Sequence, residues 1–430
     1  MLDVVATIFW GLVLLSIIVL VHESGHFCLA RLFGLRVKEF MLGLPAPNIG
    51  FKRGDTKFGV TALPLGGYCM IAGMEGDDDN PNLAKTLAFI AYFGRVSEAD
   101  AEQAGQKLGF NLCRALDILN DWGTVVRLRQ DDGPCYEIAA ARIGDQSYTQ
   151  GEPRPLPDPD ASIRRERRLT YGSLPWWRRV CLLIAGSVFN LLFAVLLITA
   201  LLMIRGVQVP TTTIESVVED SPAAAAQIVA GDQIVAVDGV EVSSWQAFSA
   251  AVQEHQAGDS VSLALERQGE RLTVPVRIAE VDGRLMIGVT SRIEQQPVFL
   301  PDALSTSLSL IGVVFLAIVQ LFNPATFADT IGQTSSVVGI SMEARAAASS
   351  GSLSFLLLAA GLSISIGLMN LLPIPPFDGG KIVIETIERI LRRKISRKLV
   401  NGISIVGVAA MLMLFVIATN ADIQRYFLGG

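Results

Sequence analysis

His22-Glu23-Ser24-Gly25-His26 is the stretch of this chain whose residue types and spacing come closest to a reaction centre. On a helix, residues four apart share a face, so the two histidines can grip one zinc ion. Glu23 beside them is placed to take a proton from an attacking water whose pKa the ion lowers toward neutrality. The sequence holds only three histidines, and two of them are here. The motif also closes an apolar run, where ionisable groups are costly and mark function by default. Two histidines satisfied by neighbouring carbonyls would fit the same spacing but would leave Glu23 buried without a partner.

A hydrolytic zinc site usually has three protein ligands and a water. The best candidate for the third is Asp378, in Asn370-Leu371-Leu372-Pro373-Ile374-Pro375-Pro376-Phe377-Asp378-Gly379-Gly380. It follows an apolar run and falls on the same side of the membrane as the histidines. Three prolines forbid a regular helix here. Extended backbone at that depth is tolerated only inside protein or along a wet cavity, where it can pair with a substrate strand. A plain Asp-Gly turn after a span is the other reading of Asp378.

Membrane helices must carry these groups. The chain is 51% apolar and 18% charged, against about 25% charged in soluble domains, and its mean hydropathy is +0.46. Spanning takes about 20 apolar residues. Four runs qualify: Val4 to Val21, Val180 to Ile204, Leu353 to Leu372, and Ile403 to Ala418. The first lacks a basic n-region and a cleavage site, so it reads as a retained span.

Basic residues cluster after the first run, before the second and after the third. By the positive-inside rule the first and third loops are cytosolic and both termini face outward. This predicts a polytopic α-helical membrane protein with four transmembrane helices. A fifth run, Ala303 to Phe322, reads as lying on the outer surface or partly re-entrant. A full crossing there would carry Asp378 to the far side, about 30 Å from the histidines. The five scattered cysteines show no metal spacing and read as free thiols.

Two stretches read as soluble. In the first cytosolic loop, Thr56 to Ala72 suggests strands around Pro64-Leu65-Gly66-Gly67-Tyr68. Ser97 to Trp122 suggests a helix with Ser97-x-x-Asp100 as cap. Val125 to Arg129 and Tyr136 to Ile143 suggest a hairpin around Asp131-Asp132-Gly133, and Gly151 to Pro159 a connector. In the outer loop, Ile214 to Val218, Gln233 to Val237 and Val261 to Leu265 have strand character. Asp238-Gly239 marks a turn, and Ser244 to His255 a short helix with His255 exposed at its end. Lys381 to Lys398 reads as an amphipathic basic helix on the anionic cytosolic leaflet.

His22-Glu23-Ser24-Gly25-His26, Gly66-Gly67-Tyr68, Ala185-Gly186-Ser187-Val188-Phe189-Asn190 and the Asn370 to Gly380 segment together resemble the site-2 protease family of intramembrane zinc metalloproteases. The resemblance covers residues 1 to about 75 and 171 to 420. It is closest to the bacterial PDZ-containing branch that cuts anti-sigma factors and remnant signal peptides. It implies Zn2+ on His22, His26 and Asp378, with Glu23 as general base. It further implies that Asn370 and Pro373 help hold substrate, and that Gly66 and Gly67 belong to a membrane-dipping β-hairpin. Asn190 either lines the same cavity or makes an interhelical hydrogen bond.

Ser221 to Gly239 resembles a PDZ module, with Ala226-Gln227-Ile228 where Ala-Gly-Leu is usual; outside that module, Ser335 to Ile340 stands where the family commonly has a Gly-Gly-x-x-Gly-Ile-like element. That module either binds a peptide end, excludes bulky ectodomains or acts as a spacer. The expected plan is 1–75 first span, zinc motif and hairpin; 76–170 cytosolic insertion; and 171–205 second span. Next come 206–295, one extracytoplasmic PDZ-like α+β domain; 296–350, surface helices; and 351–430, the last two spans. The expected partners are single-span membrane proteins and the lipid bilayer of a bacterial cytoplasmic membrane, with no nucleic acid. A non-catalytic PDZ scaffold presenting substrates to another protease is the alternative.

Overall fold

The computed structural model describes the chain apart from residues 1, 64–65, 75–79, 131–132, 144–145, 282–283, 328–334 and 428–430. The chain forms two compact units, Met1–Leu197 with Ser307–Gly430, and Ile198–Thr306.

The first unit opens with α1 (Leu2–Leu32), free of proline and, past Asp3, uncharged and predominantly apolar through Val21, as lipid demands. It leads into a four-stranded sheet of β1 (Val37–Leu42), β2 (Asn48–Arg53), β3 (Thr56–Thr61) and β4 (Gly67–Ile71), in the order β2-β3-β1-β4. Strand β1 runs parallel to β3 and antiparallel to β4. The expected hairpin through Gly66 and Gly67 is therefore corrected. β3 and β4 are not neighbours, because β1 lies between them; the hairpin is β2–β3, turning at Gly54 and Asp55. Lys38 and Glu39 disguise β1 as a loop in sequence. They are tolerated because Lys38 reaches Asp121 at 3.4 Å and Tyr68 Oη donates to Glu39 at 2.7 Å. Of the expected Pro64-Leu65 segment, both residues lie outside the described ones.

The insertion follows with its own core around Trp122, Tyr136, Ile90 and Leu116. Its elements are α2 (Leu83–Phe93), β5 (Arg95–Ser97), α3 (Glu98–Leu108), α4 (Leu112–Asp121), β6 (Val125–Gln130) and β7 (Gly133–Ile138), then β8 (Ala141–Ile143), β9 (Gln146–Tyr148) and α5 (Pro159–Arg167). Ser97 caps α3 as expected, accepting from Asp100 N at 3.1 Å. The single helix expected to Trp122 is two, because Gly109 ends α3 in the left-handed region and Asn111 caps α4. The expected hairpin is β6–β7, its Asp131 and Asp132 lying outside the described residues, and the chain beyond Ile138 pairs separately as β8–β9. Arg36, at the elbow between α1 and β1, donates to Trp122 O at 2.9 Å and to Glu166 at 2.6 Å. Those bonds moor the insertion to the root of the sheet. Helix α6 (Trp176–Arg205) then runs out of this unit.

In the second unit, β10 (Val207–Val217), β11 (Gln233–Val237), β12 (Val240–Glu241), β13 (Ser260–Arg267), β14 (Glu270–Arg277) and β17 (Val289–Gln296) form one sheet. Strands β15 (Ala279–Val281) and β16 (Arg284–Met286) pair beside it. Helices α7 (Pro222–Ala225) and α8 (Trp245–Gln253) complete the unit, closing a core that includes Ile214, Ile234, Phe248 and Leu263. The three expected strands fall within β10, β11 and β13, apart from Val218 just past the end of β10. Gln227, where glycine is usual, takes the glycine-like φ of 58°. His255 is more engaged than expected: Nδ1 lies 3.0 Å from Ala251 O and Nε2 2.9 Å from Asp238 Oδ2. Asp232, fully buried, is held by Arg267 Nε at 2.7 Å and Nη2 at 2.8 Å.

The remaining helices are α9 (Leu300–Gln320), α10 (Val337–Ser350), α11 (Ser352–Met369), α12 (Asp378–Leu391) and α13 (Arg397–Phe427). Among the described residues, α1, α6, α9, α11 and α13 are long and apolar enough to cross a membrane. The Trp10 and Phe355 rings are 5.3 Å apart and His22 meets Asp378, so α1 and α11 run in the same direction. Leu182 pairs with His26 and Asn190 with His22, so α6 runs opposite to α1. Asp422 of α13 accepts from Ser336 N at 2.7 Å and Gly339 N at 3.2 Å, neutralising the start of α10.

Candidate metal centre

Helix α1 brings His22 and His26 to one face, with Nε2 atoms 3.3 Å apart. The 356-residue separation from Asp378 is closed by the turn at the end of α11. Asn370 caps that helix, its Nδ2 donating to Ile366 O at 2.9 Å and its carbonyl accepting from Gly379 N at 2.8 Å. Prolines 373, 375 and 376 keep the segment from continuing the helix, and the chain re-enters helix α12 at Asp378. Gly379 is required by close approach: a Cβ there would lie 2.3 Å from Leu371 O. The outcome puts Asp378 Oδ2 at 3.3 Å from His22 Nε2 and 3.2 Å from His26 Nε2.

Those three separations carry chemical information. A tetrahedral zinc with bonds of about 2.0–2.1 Å spaces its ligands by roughly 3.3 Å. The observed edges are 3.3, 3.3 and 3.2 Å. All three residues are buried, and the donor set of two imidazoles and one carboxylate suits zinc. The residues fit the ion.

The far atom of each candidate ligand is also engaged. His26 Nδ1–H donates to Leu182 O at 2.9 Å, which leaves Nε2 with its lone pair. Lys381 Nζ donates to Asp378 Oδ1 at 3.2 Å. Asn190 Nδ2 lies 3.5 Å from His22 Nδ1. Space for the cluster comes from Gly186, whose hypothetical Cβ would sit 2.5 Å from His26 Nε2 and 2.6 Å from His22 Nε2.

The profile of peptidase family M50 matches residues 10–414. This chain belongs to peptidase family M50. The resemblance to site-2 proteases thus holds over nearly its whole length. The M50 chain is 28% identical to the zinc metalloprotease RasP of Shouchella clausii, covering 96% of this chain and 97% of that protein. It is 25% identical to the regulator of sigma-W protease RasP of Bacillus subtilis, over 99% and 100%. A probable protease, eep, of Enterococcus faecalis is 27% identical over 98% and 99%. A PDZ domain of an SdrC-like protein from Listeria monocytogenes covers 20% of the chain and 90% of its own, at 28% identity and a TM-score of 0.18.

Of the residues singled out in sequence, His22, His26, Asp378 and Asn190 converge in this M50 peptidase. Gly67 lies alongside: a Cβ there would approach Glu23 Cγ to 3.5 Å. Gly66 accepts through its carbonyl from Gly43 N at 2.8 Å, next to the edge strand. Pro373 is exposed on the turn, while the Asn370 amide folds back on α11. Sequence reasoning missed Lys381 and the Leu182 carbonyl. Lys381 was readable as the i+3 neighbour of Asp378 on a helix; a backbone carbonyl leaves no residue-type signal.

Proposed function

We propose that His22, His26 and Asp378 hold the zinc of this membrane zinc metalloendopeptidase, with Glu23 as general base, and that it cuts single-span membrane proteins within or at the edge of the bilayer. The triangle of donor atoms with tetrahedral edges carries this reading. Zinc, when bound, supplies the Lewis acidity that makes a water nucleophilic near neutral pH. Glu23 takes that water's proton and passes it to the leaving amide nitrogen. The free edge of β4, beside Glu23 at Gly67, receives the substrate as an added strand, which unwinds a helix whose peptide bonds are otherwise inaccessible. The exposed turn at Pro373 serves as a second substrate contact, with Asn370 bracing that turn.

The topology is four crossings with both termini outside a bacterial cytoplasmic membrane, supported by the basic loops. Because α1 and α11 are parallel and α6 antiparallel to them, the chain between α6 and α11 crosses an even number of times. Helix α9 is therefore no lone crossing. It dips and returns through α10, whose Ser341 packs against Gly11 and whose Arg345 contacts Asp3 near the outer end of α1. Asp422 makes a helix start tolerable at that depth.

One relative's name, regulator of sigma-W protease, supports membrane-bound sigma-factor regulators as substrates, with remnant signal peptides as a second class. The second unit serves as a PDZ-like module. Its groove of about 300 Å³, between α8 and Leu285–Thr290, suits a peptide end. Replacing Glu23 by Gln is expected to leave zinc in place and abolish cleavage of a single-span substrate in vesicles. Undiminished cleavage by that variant would refute the assigned base.

A further inference from the structure

We infer that Asn190 is the positioning residue for His22, its side-chain oxygen accepting the ring Nδ1–H. The inference builds on the zinc reading above. His22 Nε2 is the atom turned toward His26 Nε2 and Asp378 Oδ2, both at 3.3 Å. A neutral imidazole carries one proton, so a lone pair at Nε2 puts that proton on Nδ1, where it needs an acceptor. What stands opposite is Asn190 Nδ2, at 3.5 Å, and an amide nitrogen is itself a donor. Meanwhile Asn190 Oδ1 is buried with no hydrogen-bond partner, on a side chain with 0% exposure.

A half-turn of the carboxamide exchanges its oxygen and nitrogen, two positions assigned from hydrogen bonding alone. That one rotation pairs the orphaned oxygen with the orphaned ring proton. The backbone that carries the side chain is fixed, since Ser363 Oγ donates to the Asn190 backbone carbonyl at 3.0 Å and α6 packs so close to α11 that a Cβ on Gly367 would lie 3.2 Å from the Asn190 Cβ. His26 obtains the same service from the Leu182 backbone, which substitution cannot remove. His22 depends on a replaceable side chain.

The experiment uses full-length protein in detergent and measures zinc affinity by chelator competition, with His22→Ala in parallel. Asn190→Ala is expected to weaken zinc by about 10–100-fold, the usual effect of losing such an outer partner. Asn190→Asp keeps an acceptor and is expected to restore most of the loss. A second readout is 15N-histidine NMR of the zinc-loaded protein, tractable with three histidines. A slowly exchanging His22 Nδ1–H is expected in the wild type, moved downfield in Asn190→Asp. That comparison decides the matter if Asn190→Ala does not fold. Unchanged zinc affinity in Asn190→Ala, an Asp variant as weak as the Ala variant, or an unmoved ring proton overturns the assignment. If His22→Ala itself keeps zinc, the metal-site reading fails instead.

Discussion

Gly186→Ala adds one methyl group to α6 at the point where that helix touches the cluster. The new Cβ would lie 2.5 Å from His26 Nε2 and 2.6 Å from both Cε1 and Nε2 of His22. Ordinary contact requires about 3.5 Å, so the rings or the helix must shift by roughly 1 Å. Zinc ligands hold their distances to within about 0.2 Å. The displacement is several times that margin, and it strikes the very Nε2 atoms proposed to hold the ion. A methyl group here should therefore cost zinc at least as much as losing an outer ligand partner, about 10–100-fold. Gly361→Ala is the matched control: it also adds a methyl to an apolar helix, but nothing lies within 4 Å of it. The assay is zinc retention during graded chelation, read alongside cleavage of a single-span substrate. Gly186→Ala should lose both, and Gly361→Ala neither. Wild-type chelator resistance and cleavage in Gly186→Ala would refute the geometry.

Three further outcomes are expected. Arg36→Ala removes the bonds to Trp122 O and Glu166, worth about 1.5–3 kcal/mol as charged hydrogen bonds. Hydrogen exchange should quicken in the insertion and along β1, and unchanged protection would argue against mooring. In the second unit, the Arg267 hydrogen bonds hold the buried Asp232 carboxyl below its usual value. A depressed carboxylate stabilises above its unfolded pKa, so pulse proteolysis should find the unit weakening as pH falls through the folded value, and Arg267→Ala should flatten that slope. His255 is raised, first by its bond to Ala251 and then by Asp238. Its contribution is therefore full below about 6.5, the unfolded value, and is lost as pH rises through the folded one. An NMR titration giving His255 an ordinary or lowered pKa would contradict that.

What the sequence revealed and what it hid divide along physical lines. Side-chain chemistry at fixed spacing was legible: the two histidines one turn apart, Glu23, and an aspartate after a proline-broken span. The long apolar runs were legible too, because lipid imposes a length. Strand β1 was hidden by Lys38 and Glu39, whose partners Asp121 and Tyr68 are distant in sequence. The break at Gly109 was lost within an otherwise helical stretch, and α2 went unassigned. Leu182 contributes only backbone, and Gly186 only the absence of a side chain, so neither role is visible before the helices cross. The hairpin expected at Gly66-Gly67 failed because pairing order in a sheet is set by tertiary packing, not by the turn alone.

The central claim is that one zinc ion sits among His22, His26 and Asp378. Zinc-edge X-ray absorption on the full-length protein and on Asp378→Ala tests it most directly. Nitrogen and oxygen donors near 2.0 Å with no sulfur are expected in the wild type, and loss or rearrangement of that shell in the variant. A sulfur donor near 2.3 Å, or an Asp378→Ala spectrum identical to wild type, would contradict it.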